Sequence, residues 1–322
     1  MGMTVRHCAV LGSPVNHSLS PVIHRAAYEA MGLDGWDYTR KEVSGRGLAP
    51  FVRGLDHSWA GLSLTMPLKK EVMHLGRAGD IWSRRLGVAN TAVFNWQAGT
   101  GRPAVCLYNT DVEGIVCALC EAGGDLVHPD GASSLIGRVG RSEQVTPSSD
   151  LSGAVIGTGS TAESAVCALA LLGVGRLTVV ARHVDHAARI KDMAGRAGFA
   201  LVQVMDIKAG DAVARMLAGV DMTISTLPPG AADGLAGHLC GNASTGGLGR
   251  SHDPALLDVA YGPHPSELVK AWRRVTGGRA VGGERMLLYQ AIRQVSLMTG
   301  RPLGDIPVQA MDQAVKEALD EA

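Results

Sequence analysis

This chain has no excess of charge of either sign: 30 lysines and arginines balance 30 aspartates and glutamates over 322 residues. That balance offers no electrostatic footprint for nucleic acid or an anionic membrane, so a small molecule is the natural partner. Cysteine is scarce, with six residues scattered along the chain. Without a secretory signal, reduced thiols are expected rather than a disulfide framework. Cys117 and Cys120 do form a C-x-x-C, but "GIVCALCEAGG" reads as the apolar face of a helix, and no second Cys or His pair stands at zinc-site spacing. Packing is the expected role of both, and no metal is expected. Long hydrophobic runs are also missing. The longest, "AVCALALLGV", is too short to span a bilayer, and "MGMTVRHCAVLGSP" lacks an apolar signal core and has Arg6 where a myristoylation signal needs Ser or Thr. A soluble, cytoplasmic protein is expected.

What is present is an alternation of strands and helices in two successive arrays, with no internal repeat. A length of 322 residues exceeds what one ordinary core organises, so two domains are expected. In the first array "HCAVLG", "WDYTRKEV" and "AGLSLT" read as strands, separated by helices beginning near Pro21, Gly47 and Pro67. "NTAVFNWQ" and "RPAVCLYN" suggest a hairpin, and "TDVEGIVCALCEA" a helix opened by a capping Thr or Asp. From about residue 121 to 150 periodicity is lost and Gly, Ser and Pro gather, which marks the domain boundary.

The second array opens on "SGAVIGTGSTAESAVCALALLGV". A short buried strand, Ala154 to Ile156, runs into Gly157-Thr158-Gly159-Ser160-Thr161-Ala162 and then a helix of small residues, the context a dinucleotide fingerprint requires. Gly157 suits a tight turn, Gly159 lets backbone approach a pyrophosphate, and Ala162 permits close helix packing. The helix N-terminus supplies N–H donors for phosphates. After the next strand, "RLTVVA", an NAD site would carry an acid for the ribose hydroxyl. Here Ala181 is followed by Arg182, His183 and, close behind, His186, a basic cluster that suits the 2′-phosphate of NADP.

Polar clusters stand at the predicted strand ends of the first array, where α/β sheets place their sites. Gly12 is followed by His17-Ser18-Leu19-Ser20-Pro21, then come Ser63-Leu64-Thr65-Met66-Pro67-Leu68-Lys69, Val88-Ala89-Asn90-Thr91 and Asn109-Thr110-Asp111-Val112-Glu113-Gly114. Near the C-terminus stand "LLDVAYGPHPSEL" and "GGERMLLYQA". In order and composition these six segments resemble the shikimate dehydrogenase family, over nearly the whole chain. There are departures. Ser63 replaces the family's Asn in N-V-T, Ala181 stands where its N-R-T loop has Asn, Glu284 and Arg285 occupy a variable pair, and the 121–150 stretch is longer than the family needs.

The resemblance implies reversible, NADPH-dependent reduction of 3-dehydroshikimate to shikimate, a step toward chorismate and the aromatic amino acids. Hydride delivery to a ketone builds negative charge on its oxygen, so a proton donor or cation is needed there. Lys69 is the candidate, held by Asp111. Neighbouring helical residues point about 100° apart, so Lys70 cannot face the same way. Ser18, Ser20 and Tyr261 are implied as ligands of the substrate carboxylate, and Thr65, Asn90, Asp111 and Gln290 as readers of its hydroxyls. Thr226, Gly283 and Met286 are implied to complete the NADP contacts. His17 is expected to orient its loop and His24 to pack on a helix face.

The implied architecture is two-domain α/β. An N-terminal substrate-binding domain with a mixed, mainly parallel sheet (1–120, completed by helices in 284–322) accompanies a Rossmann-like NADP-binding domain (121–283), with the active site in the cleft between them. A homodimer is compatible with this reading. The rival readings are an NAD-linked catabolic quinate/shikimate dehydrogenase, which an acid after "TVV" would favour, and a catalytically silent ligand sensor, which retention of Lys69 and Asp111 disfavours.

Overall fold

The computed structural model of the chain describes residues 5–97, 101–123, 132–140, 148–242, 253–262 and 264–321. It divides into two compact units. The first comprises Met1–Asp111, Pro129–Arg141 and Leu287–Ala322, and the second Val112–His128 and Ser142–Met286. Among the described residues no helix is long and apolar enough to cross a membrane.

The first unit is built on a six-stranded sheet of β1 (Arg6–Gly12), β2 (Trp36–Glu42), β3 (Trp59–Leu64), β4 (Arg77–Ala78), β5 (Thr91–Trp96) and β6 (Pro103–Tyr108), in the order β2-β1-β3-β5-β6-β4. β1 pairs in parallel with β2 and β3, β4 with β6, while β5 runs antiparallel to β3 and β6. The sheet is therefore mixed, and the expected hairpin is β5–β6, with Thr91 opposite Tyr108 and Trp96 opposite Pro103. Central β1 is buried from Cys8 to Gly12, the continuous burial of a strand covered on both faces. On one side Leu11, Leu62, Leu64 and Leu107 pack with Leu48 of α2 (Gly45–Arg53) and Leu68 of α3 (Leu68–Glu71). Helices α1 (Ser20–Ala30) and α13 (Val308–Asp320) pack on each other.

Two helices lie where the sequence showed no clear pattern. α4 (Ile81–Leu86) is held at its ends: the Asp80 carboxylate accepts from the Ser83 N–H at 2.6 Å, and Gly87 closes the helix at φ 62°. α6 (Ala132–Val139) falls inside the stretch expected to be a boundary, most of which lies outside the described residues. α5 (Asp111–Gly123) begins as expected, and the two units divide at its first residue.

The second unit carries a wholly parallel sheet of β7 (Ser148–Ile156), β8 (Val174–Ala181), β9 (Leu201–Asp206), β10 (Met222–Ser225), β11 (Ala255–Asp258) and β12 (Arg279–Gly282), in the order β12-β11-β10-β7-β8-β9. Numbered within the unit this is the 3-2-1-4-5-6 order of a dinucleotide-binding fold, and its switch point lies between β7 and β10. Helices α7 (Ser160–Leu171), α8 (Ala188–Arg196), α9 (Gly210–Gly219), α10 (Asp233–Gly241) and α11 (Glu267–Thr276) connect the strands, and α12 (Gly283–Thr299) follows β12. Ile156, Val180, Leu217, Leu256 and Trp272 form its core.

Candidate active site

The polar residues of the first unit converge at the carboxyl ends of β1, β3 and β6. The Thr65 N–H donates to the Leu11 carbonyl at 2.9 Å, and the Leu68 N–H to the Thr65 carbonyl at 2.8 Å, which turns the chain into the short helix bearing Lys69. The Ala89 N–H in turn donates to the Lys69 carbonyl at 2.9 Å, so the Val88-to-Thr91 stretch is fastened directly to the lysine's backbone. The Lys69 ammonium reaches Asp111 Oδ2 at 2.5 Å, with side-chain exposures of 13% and 4%. Enclosure strengthens the attraction within the pair but strips both groups of hydration, so further hydrogen bonds are needed to offset the desolvation. Lys70 is exposed.

Those hydrogen bonds come from Asn90. Its Nδ2 donates to Asp111 Oδ1 at 2.8 Å, leaving Oδ2 for the lysine, and lies 2.9 Å from Thr110 Oγ1 and 3.3 Å from Gln290 Oε1. Its Oδ1 accepts from the Thr110 N–H at 2.9 Å and from Thr91 Oγ1 at 2.9 Å. Asn109 fixes the segment from below: its Oδ1 accepts from the Asp111 N–H at 3.1 Å and its Nδ2 donates to the Val88 carbonyl at 3.2 Å. Asp80 receives the Asn109 N–H at 2.8 Å, and burial raises its pKa. After β1, the Ser18 hydroxyl donates to Ser20 Oγ at 3.1 Å, with Arg40 Nε on the Ser18 carbonyl at 2.7 Å.

In the second unit the loop after β7 lies at the switch point. Gly157 has φ +119°, and a β-carbon there would collide with Thr226 Oγ1, which itself donates to the Ile156 carbonyl at 2.9 Å. Gly159 precedes α7 with nothing within 4 Å of where its β-carbon would be, and Ala162 is fully buried. Backbone here is open to an approaching pyrophosphate, at a helix N-terminus that favours anions. Ala181 is buried at the tip of β8, while Arg182, His183 and His186 are exposed, the two imidazoles 5.1 Å apart. At the start of α12, a β-carbon on Gly283 would strike the Val259 carbonyl, and Met286 is buried. These residues fit a phosphorylated dinucleotide: close backbone approach, a helix N-terminus and a basic strand tip.

Residues 10–92 match the family model of the shikimate dehydrogenase substrate-binding domain. The NADP(+) shikimate dehydrogenase of Methanosarcina acetivorans is 30% identical over 325 residues, covering 96% of this chain and 97% of that one. The chain belongs to the shikimate dehydrogenase family. Among solved structures, the shikimate 5-dehydrogenase of Mycobacterium fortuitum is 37% identical, with a TM-score of 0.73 over 98% of this chain and 99% of that one. The shikimate dehydrogenase of Mycobacterium tuberculosis is 34% identical, with a TM-score of 0.74 over 97% and 99%.

Of the residues that the family resemblance singled out, Lys69, Asp111, Asn90 and Gln290 form one connected cluster, and Ser18 and Ser20 pair with each other. Tyr261 follows β11 in the second unit. Thr110 and Asn109 stand inside a family motif, yet their bonds to Asn90 and Asp111 came only from the structure. Gln294 was missed altogether. Its signal was available, since it stands four residues after Gln290 on one helical face. His24 is a packing residue, as expected: it is fully buried, stacks on Tyr38 with ring centroids 4.0 Å apart, and burial lowers its pKa to about 3. Cys117 is buried in α5, and the described residues hold no metal-ligating cluster.

Proposed function

We propose that this chain is an NADP-linked shikimate dehydrogenase that reversibly reduces 3-dehydroshikimate to shikimate. The observation that carries this reading is the enclosed Lys69–Asp111 pair, with Asn90 holding the carboxylate oxygen that the lysine does not use. The M. acetivorans relative, named as an NADP(+) shikimate dehydrogenase, supports the same reaction.

In the direction of reduction, the Lys69 ammonium gives a proton to the ketone oxygen as hydride reaches the carbon. Its positive charge stabilises the alkoxide character that develops first. Asp111 Oδ2 orients that ammonium, and the same carboxylate can accept a hydrogen bond from a neighbouring substrate hydroxyl. Asn90 and Gln290 read further hydroxyls, and Thr65 adds a donor beside the lysine's turn. Ser18 and Ser20 present adjacent hydroxyls to a carboxylate, with Tyr261 assigned to the same group. NADPH, when bound, supplies the hydride. Gly157 to Ala162, with Thr226, Gly283 and Met286, would hold its pyrophosphate and nicotinamide halves, and Arg182, His183 and His186 its 2′-phosphate. We assign the substrate role to residues 1–120 with the C-terminal helices and the nucleotide role to 121–283, apart from Tyr261, assigned to the substrate, and Met286, assigned to the nucleotide.

Steady-state kinetics with shikimate and quinate, each against NADP⁺ and NAD⁺, test the reading. Shikimate with NADP⁺ should give the highest kcat/KM. A preference for quinate with NAD⁺ would make the chain a catabolic enzyme, and inactivity in all four combinations would make it a ligand sensor. A cytoplasmic location and a homodimer accompany the reading, and fractionation and sedimentation would test them.

A further inference from the structure

Behind Asn90 the first unit buries a second polar chain that the mechanism above does not use. Gln294 of α12 lies at its centre, 1% exposed, with His24, Tyr38, Ser63 and Thr91 all 4% exposed or less. Tyr38 Oη donates to Ser63 Oγ at 2.6 Å, and Ser63 Oγ donates to Gln294 Oε1 at 2.8 Å. His24 Nε2 lies 3.3 Å from the same oxygen. Gln294 Nε2 is 2.9 Å from Thr91 Oγ1 and 3.4 Å from the Asn90 carbonyl. Thr91 Oγ1 then bonds Asn90 Oδ1 at 2.9 Å.

The polarity of this chain is fixed at two points by backbone groups whose roles cannot change. The Asn90 carbonyl can only accept, so the Gln294 amide must turn its NH₂ toward β5 and its oxygen toward Ser63 and His24. The Thr110 N–H can only donate, so Asn90 must turn its oxygen toward Thr110 and Thr91. Between them the Thr91 hydroxyl accepts from Gln294 and donates to Asn90. The Asn90 NH₂ is thereby left facing Asp111 Oδ1, a carboxylate that can only accept. His24 must carry its proton on Nε2, and burial keeps the phenol of Tyr38 protonated and donating. Every bond from Tyr38 to Asp111 thus runs in one direction, and Lys69 donates to the other oxygen of the same carboxylate. Ser63, where the family pattern has Asn, is short enough to meet both Tyr38 and Gln294.

We propose that Gln294 is a positioning residue for the Lys69–Asp111 pair, acting through Thr91 and Asn90, with Ser63 and His24 locking the orientation of its amide. The proposal rests on the functional reading of that pair. Without Gln294, Thr91 can turn its proton elsewhere, Asn90 loses a constraint on its rotamer and flip state, and Asp111 Oδ1 loses a fixed donor. The ammonium would then sit less accurately against the reacting oxygen, which lowers the rate of the chemical step more than it weakens binding.

The test is a double-mutant cycle on shikimate oxidation by NADP⁺, with thermal melting of every variant. Gln294→Leu should lower kcat by about tenfold to a hundredfold and leave KM for NADP⁺ unchanged. On a Lys69→Ala background the same substitution should cost nothing further in kcat, because the group being positioned is gone. Val315→Ala, which opens a cavity on α13 outside the chain, should lower the melting temperature without lowering kcat. If Gln294→Leu does not fold, Thr91→Val interrupts the same chain with an isosteric side chain and completes the cycle. Parental kcat in Gln294→Leu or Thr91→Val, or equal losses on both backgrounds, overturns the positioning role alone, provided that Lys69→Ala is impaired. Parental kcat in Lys69→Ala overturns the functional reading itself, and the positioning role with it.

Discussion

The hydroxyl of Thr226 occupies the space that a β-carbon on Gly157 would need. Gly157 is thus constrained twice, by that contact and by its φ of +119°, which side-chain-bearing residues rarely adopt. The two constraints are separable. Gly157→Ala should destabilise the fold by about 1–3 kcal/mol and weaken NADP⁺ binding. Adding Thr226→Ala removes the collision but not the backbone strain, so it should restore only part of the loss. Urea unfolding of the single and double variants checks this, and complete recovery would show that the backbone conformation costs nothing.

The second prediction separates two adjacent lysines. Lys69 is enclosed and paired with Asp111, whereas Lys70 is exposed. Lys69→Ala should lower kcat by about 10²- to 10⁴-fold with a modest change in KM, and Lys70→Ala should leave kcat unaltered. Equal losses in the two variants would remove Lys69 from its assigned role.

How legible these features were in the sequence depended on whether the governing interaction was local. Gly157, Gly159 and Ala162 were readable because a strand, a tight turn and a helix N-terminus each leave a local mark, and the structure places them at the sheet's switch point. The alternation of strands and helices likewise showed two arrays. Lys69 and Asp111 were readable as candidates only through the ordered family motifs. Their contact spans 42 residues, and no spacing rule reports it. The chain through Gln294 was illegible because each link crosses between elements: Ser63 and Gln294 are 231 residues apart, and the polarity is set by two backbone groups. Helix α4 was overlooked for a different reason. It is six residues long, and its evidence is Asp80 and Gly87 at its ends rather than a hydrophobic period.

Burial of His24 gives a third prediction, for stability against pH. Its imidazole stays neutral in the fold, with a pKa lowered to about 3 from 6.5 by desolvation, which the Gln294 hydrogen bond only partly offsets. As pH falls below about 6.5 the unfolded chain takes up a proton there that the folded chain refuses, until pH approaches 3. Stability should therefore fall with pH across that window, by up to about 1.4 kcal/mol per pH unit from this group, and this contribution should be level above it. His24→Phe keeps a ring to stack on Tyr38 and removes the titration. Urea unfolding between about pH 4.5 and 7 should show a shallower slope in the variant, by close to one proton. Other titrating groups are common to both proteins, so parallel profiles would mean that the imidazole is protonated in the fold.

The fourth prediction concerns the strand tip of β8, where Arg182 stands beside His183 and His186 and all three are exposed. A guanidinium is charged at any working pH, whereas an imidazole carries charge only in its protonated form. If either histidine faces the 2′-phosphate, its protonated form adds attraction to that dianion, and the attraction is lost as the proton leaves. Affinity for NADPH should then weaken as pH rises from about 6 to 8. NADH lacks that phosphate and should show little of this dependence. Two carboxylates stand in the same region, Asp185 between the histidines and Asp206 at the end of β9, which pairs with Ala181. Both carboxylates are present in the NADPH and the NADH titrations alike, so the contrast between the two nucleotides isolates the imidazoles. Arg182→Ala should narrow the preference for NADPH at every pH, whereas a His183→Ala, His186→Ala double variant should flatten the pH profile and retain most of the preference at pH 8. Isothermal titration with both nucleotides across this range distinguishes the two contributions. Parallel profiles for NADPH and NADH in the parent would mean that both imidazoles point away from the phosphate and that Arg182 discriminates alone.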